Sequence, residues 1–146
     1  MKIEGTVALA APRKRIYQLL TDPKLLAKSL PGCEKLEPAG KDTYQVTMKL
    51  GIGALSGSYQ GKVKLSEQKP PERLRLTLSS RGPWGFAEGD GRLVFEEKDG
   101  ETSVRYTGEL KVGGVVAAVG QRLLDAAARK VVAEFFQNLE REAAGD

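Results

Sequence analysis

The sequence predicts an α+β fold: a curved antiparallel sheet of about seven strands, two short helices after the first strand, and a long C-terminal helix covering a hydrophobic cavity. Three observations carry that prediction. Strand-like alternation of apolar and polar residues fills the middle of the chain. Helical spacing of apolar residues follows the first strand and returns in the C-terminal segment. Glycines interrupt the apolar face of several strands, where large side chains would otherwise meet. With 146 residues, 40% of them hydrophobic, the chain is long enough for a core of its own. No repeat, linker or low-complexity run divides it, so residues 1–146 read as one domain.

Lys2 to Leu9 alternates with period two and opens the fold as a strand. Pro12 suits the first turn of a helix that runs to about Leu20. Asp22-Pro23 reads as an N-cap with a proline at the first helical position, starting a second short helix that Pro31-Gly32 ends. Leu25, Leu26 and Leu30 of that helix face inward. In the meander that follows, Tyr44, Val46, Met48 and Leu50 share one face and Gln45, Thr47 and Lys49 the other. The apolar parity continues through Tyr59, Val63 and Leu65, then Leu74, Leu76 and Leu78, then Val104, Tyr106, Leu110 and Val112. Reversals fall at Ala39-Gly40-Lys41-Asp42, Lys69-Pro70-Pro71-Glu72 and Lys98-Asp99-Gly100-Glu101, whose residues favour turns. Gly113-Gly114 ends the sheet. Val116, Leu123, Ala127, Val131, Phe135 and Leu139 then recur at helical spacing, opposite Arg122, Asp125, Arg129 and Arg141, and predict one long helix over the open apolar face.

The net charge of +4 is spread over mixed signs with no basic run, which argues against nucleic acid as a partner. A mild positive balance favours an anionic membrane surface or an acidic protein, or marks only a solvated mixed face. The N-terminus lacks the apolar core of a secretory signal, and no segment reaches the apolar length that crosses a bilayer. A cytoplasmic location is expected, with peripheral contact at the inner face of the membrane left open. The single cysteine, Cys33, cannot form an internal disulfide. It follows Pro31-Gly32 in a turn, where it is either an exposed thiol or a small packing residue.

The absence of histidine removes Ser-His-Asp and Cys-His arrangements and histidine metal sites, and one cysteine cannot build a thiolate cluster. Carboxylates alone would be left to hold a hard cation. Glu88 and Asp90, two residues apart, form the best carboxylate pair for acid and base work, but their parity opposes that of Leu93 and Phe95 and directs them to solvent. The glycine-rich segment Gly51 to Gly57 lacks the Lys-Ser/Thr of a phosphate-binding loop and reads instead as a mobile loop at a cavity entrance.

Binding is the stronger reading of the remaining residues. Gly61 and Gly108 share the parity of large apolar neighbours, and Gly89 and Gly91 share that of Leu93 and Phe95. Such glycines either leave room for a ligand or curve the sheet around the helix. Gly120, read as lying within the last helix, costs roughly 1 kcal/mol against alanine, and either an opening for a ligand or close packing would offset it. Trp84 and Phe86, after Arg81-Gly82-Pro83, form an apolar rim or a packed loop. The expected lining is Met48, Leu50, Tyr59, Leu76, Leu78, Tyr106, Val116, Val119 and Leu123, together with those rim residues and Gly61, Gly108 and Gly120. Tyr44, Tyr59 and Tyr106 each offer a hydroxyl for a ligand carbonyl, or are core tyrosines with satisfied hydroxyls.

The order of elements resembles the helix-grip fold of the START and Bet v 1-like (SRPBCC) superfamily. Within it, Asp22-Pro23, Leu30-Pro31-Gly32-Cys33-Glu34 and Leu50-Gly51-Ile52-Gly53-Ala54-Leu55-Ser56-Gly57-Ser58-Tyr59-Gln60-Gly61 resemble the CoxG-like family of carbon monoxide dehydrogenase proteins. Gly113-Gly114, Gly120-Gln121-Arg122-Leu123-Leu124 and Phe135-Phe136 fit the same family, and the likeness covers essentially the whole chain. Ala54 stands where that family often has proline. Some relatives continue into an apolar membrane-tethering tail, whereas this sequence stops at Ala143-Ala144-Gly145-Asp146, so a constitutive tether is not expected. The resemblance implies a role beside molybdenum-containing carbon monoxide dehydrogenases and related oxidoreductases, in maturation, membrane recruitment or exchange of a lipophilic quinone. The expectation is a non-enzymatic carrier of a quinone- or lipid-like molecule with no tightly bound cofactor and no metal. The alternatives are a recruitment module with no cargo and, third, a helix-grip cyclase or hydrolase using Glu88, Asp90 or a cavity tyrosine.

Overall fold

The computed structural model describes residues 1–145; Asp146, at the end of the expected terminus, lies outside the described residues. Its seven strands are β1 (Lys2–Leu9), β2 (Cys33–Pro38), β3 (Thr43–Leu50), β4 (Gly57–Lys69), β5 (Arg73–Gly82), β6 (Gly85–Lys98) and β7 (Glu101–Gly113). They form one antiparallel sheet in the order β1-β7-β6-β5-β4-β3-β2, a meander whose last strand returns to pair with the first. Helices α1 (Arg13–Thr21) and α2 (Pro23–Ser29) follow β1, and α3 (Gln121–Ala144) closes the chain across the concave face. This is the predicted α+β helix-grip architecture.

Local signals account for the early elements. Pro12 caps α1, its carbonyl accepting from the amides of Arg15 and Ile16. Asp22 caps α2 through its side chain, which accepts from the Lys24 amide at 3.0 Å, with Pro23 at the first helical position. Cys33 is not in a turn: it begins β2, opposite Met48 of β3, because Gly32 already completes the reversal with a φ of +66°.

The long C-terminal helix begins later than its apolar spacing implies. Val115–Val119 forms a separate 3₁₀ turn between Gly114 (φ +82°, ψ −153°) and Gly120 (φ +99°, ψ 153°). Both glycines adopt backbone conformations that a side chain would strain, and they cut the helical run. Gly120 is therefore a boundary residue, and the cost of a glycine inside a helix does not apply to it.

The inner face of the sheet divides along its length. At one end Leu65, Leu74, Phe95 and Val104 meet Ile16, Leu19 and Leu20 of α1, Leu26 of α2 and Leu139 of α3, each 2% exposed or less. Tyr17 packs edge-on against Phe95 at 5.7 Å and donates its hydroxyl to the Arg73 carbonyl. Thr102, fully buried, ties β7 to the β1–α1 junction by donating to the Ala11 carbonyl at 2.6 Å. Toward the other end the paired inner positions turn small. Leu76 faces Gly91, which faces Gly108; Leu78 faces Gly89; Gly61 faces Ser80, which faces Ala87. The first end is a packed core, and the second is hollow.

An apolar cavity beneath the C-terminal helix

The hollow end encloses a cavity of about 400 Å³ between the sheet and the first turns of α3. Its wall is almost wholly hydrocarbon. Met48, Leu50, Tyr59, Leu76, Leu78 and Tyr106 contribute from the strands, Trp84 from the β5–β6 turn, and Val116 from the 3₁₀ turn before α3. Gly61 and Gly108 form part of the floor. Ten of the residues expected from the sequence thus meet at one surface. The volume lies within the range of roughly 300–1,000 Å³ common to small-molecule sites.

Four expected residues are not in that wall. Phe86 falls on the outer face, paired with Gly113 and covered by the Arg81 guanidinium at 5.4 Å from its ring centre, because the turn at Pro83 and Trp84 sets the β6 parity. Val119 and Gly120 sit beyond the cavity in the segment that the two glycines separate from the helix. Leu123 is displaced by Leu124: a helix that starts at Gln121 turns Leu124, Ala127, Ala128, Val131, Val132, Phe135 and Phe136 toward the sheet. Adjacent pairs one turn apart were the available signal for that ridge. Ile52 and Leu55, from the glycine-rich β3–β4 loop, also line the cavity, with Leu55 only 7% exposed.

Both readings of the strand glycines hold, at different positions. A Cβ at Gly61 would lie 2.7 Å from the Ser79 carbonyl oxygen, and one at Gly108 would lie 3.0 Å from that of Asp90. These two glycines let neighbouring backbones approach. At Gly89 and Gly91 the nearest atoms would be 3.6 and 3.7 Å away, an ordinary contact distance. There the missing side chains open space.

Few polar side chains reach the wall, and their hydroxyls differ in availability. Tyr59 packs edge-on against Trp84 at 4.9 Å and donates to the Leu55 carbonyl at 2.6 Å. Ser80 donates to the Gln60 carbonyl. Tyr106 stacks on Phe136 with ring centres 5.2 Å apart, and its phenol lies over Gly5, where any Cβ would collide with it. Among the described residues its hydroxyl has no hydrogen-bond partner in the protein. Tyr44 packs against the core instead of lining the cavity. Tyr106 and Phe136 also border a second cleft, of about 740 Å³, between β1 and α3, rimmed by charged residues such as Lys2, Asp125, Arg129 and Glu140.

The carboxylates of Glu88 and Asp90 are turned to the outer face. Asp90 accepts from Arg75 Nε at 2.8 Å and Nη2 at 2.6 Å on the outer face. These hydrogen bonds from Arg75 hold its carboxyl below the ordinary carboxylate range. Glu88 lies 3.8 Å from Arg81 on the same face. Burial raises the pKa of the Cys33 thiol, which donates to the Lys35 carbonyl at 3.3 Å, the opposite of nucleophilic activation. Among the described residues no three His, Cys, Asp or Glu side chains converge as metal ligands. No helix among them is long and apolar enough to cross a membrane.

Comparison with known proteins agrees with this geometry. The family model for CoxG of carbon monoxide dehydrogenase matches residues 5–144. No protein of curated function matches the chain. A conserved protein from Geobacillus kaustophilus is 32% identical, with a TM-score of 0.95 over 99% of this chain and 96% of its own. The Zhui aromatase/cyclase from Streptomyces sp. R1128 is similar in fold at 17% identity (TM-score 0.72; 99% and 93% covered). So is Ara h 8.0201, at 12% identity (TM-score 0.74; 100% and 99% covered).

Proposed function

The chain belongs to the CoxG family of carbon monoxide dehydrogenase proteins, and on that premise we propose that it is a non-enzymatic carrier of a long hydrophobic molecule, of quinone or lipid type. The carrier serves an oxidoreductase of the molybdenum carbon monoxide dehydrogenase kind. The observation behind this reading is the hydrocarbon-walled cavity of about 400 Å³. A well-packed domain fills such a space with side chains, because each lost contact costs stability. Here Gly89 and Gly91 leave it open.

The chemistry of the wall selects the class of cargo. Affinity comes from burial of apolar ligand surface, at roughly 25 cal/mol per Å². Met48 adapts to irregular shapes. Of the two tyrosines in the wall, Tyr59 is engaged by the Leu55 carbonyl, whereas the Tyr106 hydroxyl has no partner in the protein among the described residues and suits a ligand carbonyl. A cyclase or hydrolase reading is disfavoured by the position of Glu88 and Asp90, which are ion-paired on the outer face.

Mass spectrometry of the organic extract from gently purified protein tests the proposal. A quinone or lipid in stoichiometric amount from the wild type, lost from a Gly91→Leu variant, is the expected result. Empty extracts from both would transfer the reading to a recruitment module without cargo.

A further inference from the structure

The cavity mouth is built from three segments that carry no charge, although 29% of the chain is charged: Leu50 to Gly61, Gly82 to Ala87, and Val112 to Gln121. The fold brings them together at one end. The Val116 amide donates to the Trp84 carbonyl at 2.8 Å, and Tyr59 joins the ring of Trp84 to the carbonyl of Leu55. Ala54, Pro83, Val115 and Ala118 of these segments are exposed. Val115, at 71%, is the large apolar side chain that stands out to solvent among the described residues.

Basic residues stand behind this apolar tip on one side. On the outer sheet face, Lys49, Lys62, Arg81 and Lys111 occupy the rows nearest the loops, and Arg122 follows the last of the uncharged segments at the start of α3. Glu88, paired with Arg81, and Glu34, in the β2 bulge opposite Met48 and Thr47, are acids in those rows, and Asp125 lies one helical turn beyond Arg122. The opposite end of the sheet is of mixed charge: Asp42, Glu67, Glu72, Glu97, Asp99 and Glu101 lie in or beside its turns together with Lys41, Lys69, Arg73 and Lys98, and Arg13 at the start of α1 meets Glu97. The two ends therefore differ: the mouth is apolar with basic residues behind it, and the far end is polar and of mixed charge.

From this arrangement we propose that the mouth is a docking face for an anionic phospholipid bilayer. Apolar loops enter the interface while the lysines and arginines behind them meet the lipid phosphates, the division of labour expected of interfacial binding. The proposal extends the carrier reading and rests on it in one respect: cargo entering the cavity passes through the docked mouth.

Co-sedimentation with vesicles of phosphatidylcholine and phosphatidylglycerol, against phosphatidylcholine alone, provides the test. Wild-type protein is expected to bind the anionic vesicles preferentially. Val115→Asp should weaken binding at least about tenfold, since it places a charge in the inserting loop. An Arg81→Gln/Lys111→Gln double variant should lose about fivefold per site, whereas Lys98→Gln at the far end should change nothing. Melting temperatures confirm that the variants fold. Protein that contains ligand but ignores anionic vesicles, or binding that survives Val115→Asp, overturns the docking face and leaves the carrier reading intact. So does retention on an oxidoreductase that Val115→Asp abolishes without any vesicle binding, which assigns the face to a protein. Vesicle binding by protein with empty extracts supports the docking face and removes the carrier reading.

Discussion

Filling the cavity should separate binding from folding, and Gly91 is the position at which to do it. A side chain there meets no atom within 3.7 Å of its Cβ, whereas the equally central Gly108 would bring a Cβ to 3.0 Å from the Asp90 carbonyl oxygen and strain the sheet. Leucine adds four carbon atoms to the space that the cargo occupies. At about 0.8 kcal/mol per buried methylene-sized group, the displaced ligand surface is worth about 3 kcal/mol, or on the order of a hundredfold in Kd. Stability should stay level or rise slightly, because the new side chain buries apolar surface without overpacking. The chain's single tryptophan, Trp84, sits in the cavity wall and supplies the assay. Its fluorescence is followed while a long-chain quinone is added to wild-type and Gly91→Leu protein. Equal affinities, with both proteins folded, would refute the assignment of this cavity as the binding site.

Three further outcomes are expected. Tyr106→Phe should weaken a carbonyl-bearing ligand by about 1 kcal/mol, roughly fivefold, and leave a hydrocarbon analogue unaffected, read in the same titration. Thr102→Val leaves the Ala11 carbonyl without its donor in a fully buried site; a loss of about 2 kcal/mol should lower Tm by roughly 4–8 °C in a melting experiment. The Asp90 carboxyl titrates below its unfolded value of about 3.9, so its contribution to stability is present above about pH 4 and is lost as pH falls through the folded value. Asp90→Asn should accordingly flatten the decline of the urea midpoint below pH 4, with ligand binding unchanged.

The legible part of the site was the part written in strand parity. Two-residue alternation fixes the face of every residue once one partner is placed, so Met48, Tyr59, Leu76, Leu78, Tyr106 and the floor glycines Gly61 and Gly108 follow from spacing alone. Phe86 lies on the other face because β6 already begins at Gly85, which gives Phe86 the parity of Glu88 and Asp90 and not that of a loop rim. A helix has no such fixed phase. Leu123 and Leu124 are both apolar, and the ridge that faces the sheet depends on where the helix starts, which Gly120 decides through its backbone conformation.

By itself the sequence determined the two-helix, meander and long-helix order, the cap of α2, the positions of the hairpins and the inward parity of β3, β4, β5 and β7, because these depend on neighbours a few residues away. Tertiary structure alone decided what the glycines do, since Gly61 and Gly108 admit neighbouring backbones while Gly89 and Gly91, in the cavity wall, would take a Cβ at ordinary contact distance. It also decided which hydroxyls are engaged, that Arg75 holds Asp90 on the outer face, and that three uncharged loops converge at one end with basic residues behind them. Each of these depends on atoms from strands or loops distant in sequence. Local chemistry specifies an element and its orientation, but the space between elements exists only once they have packed.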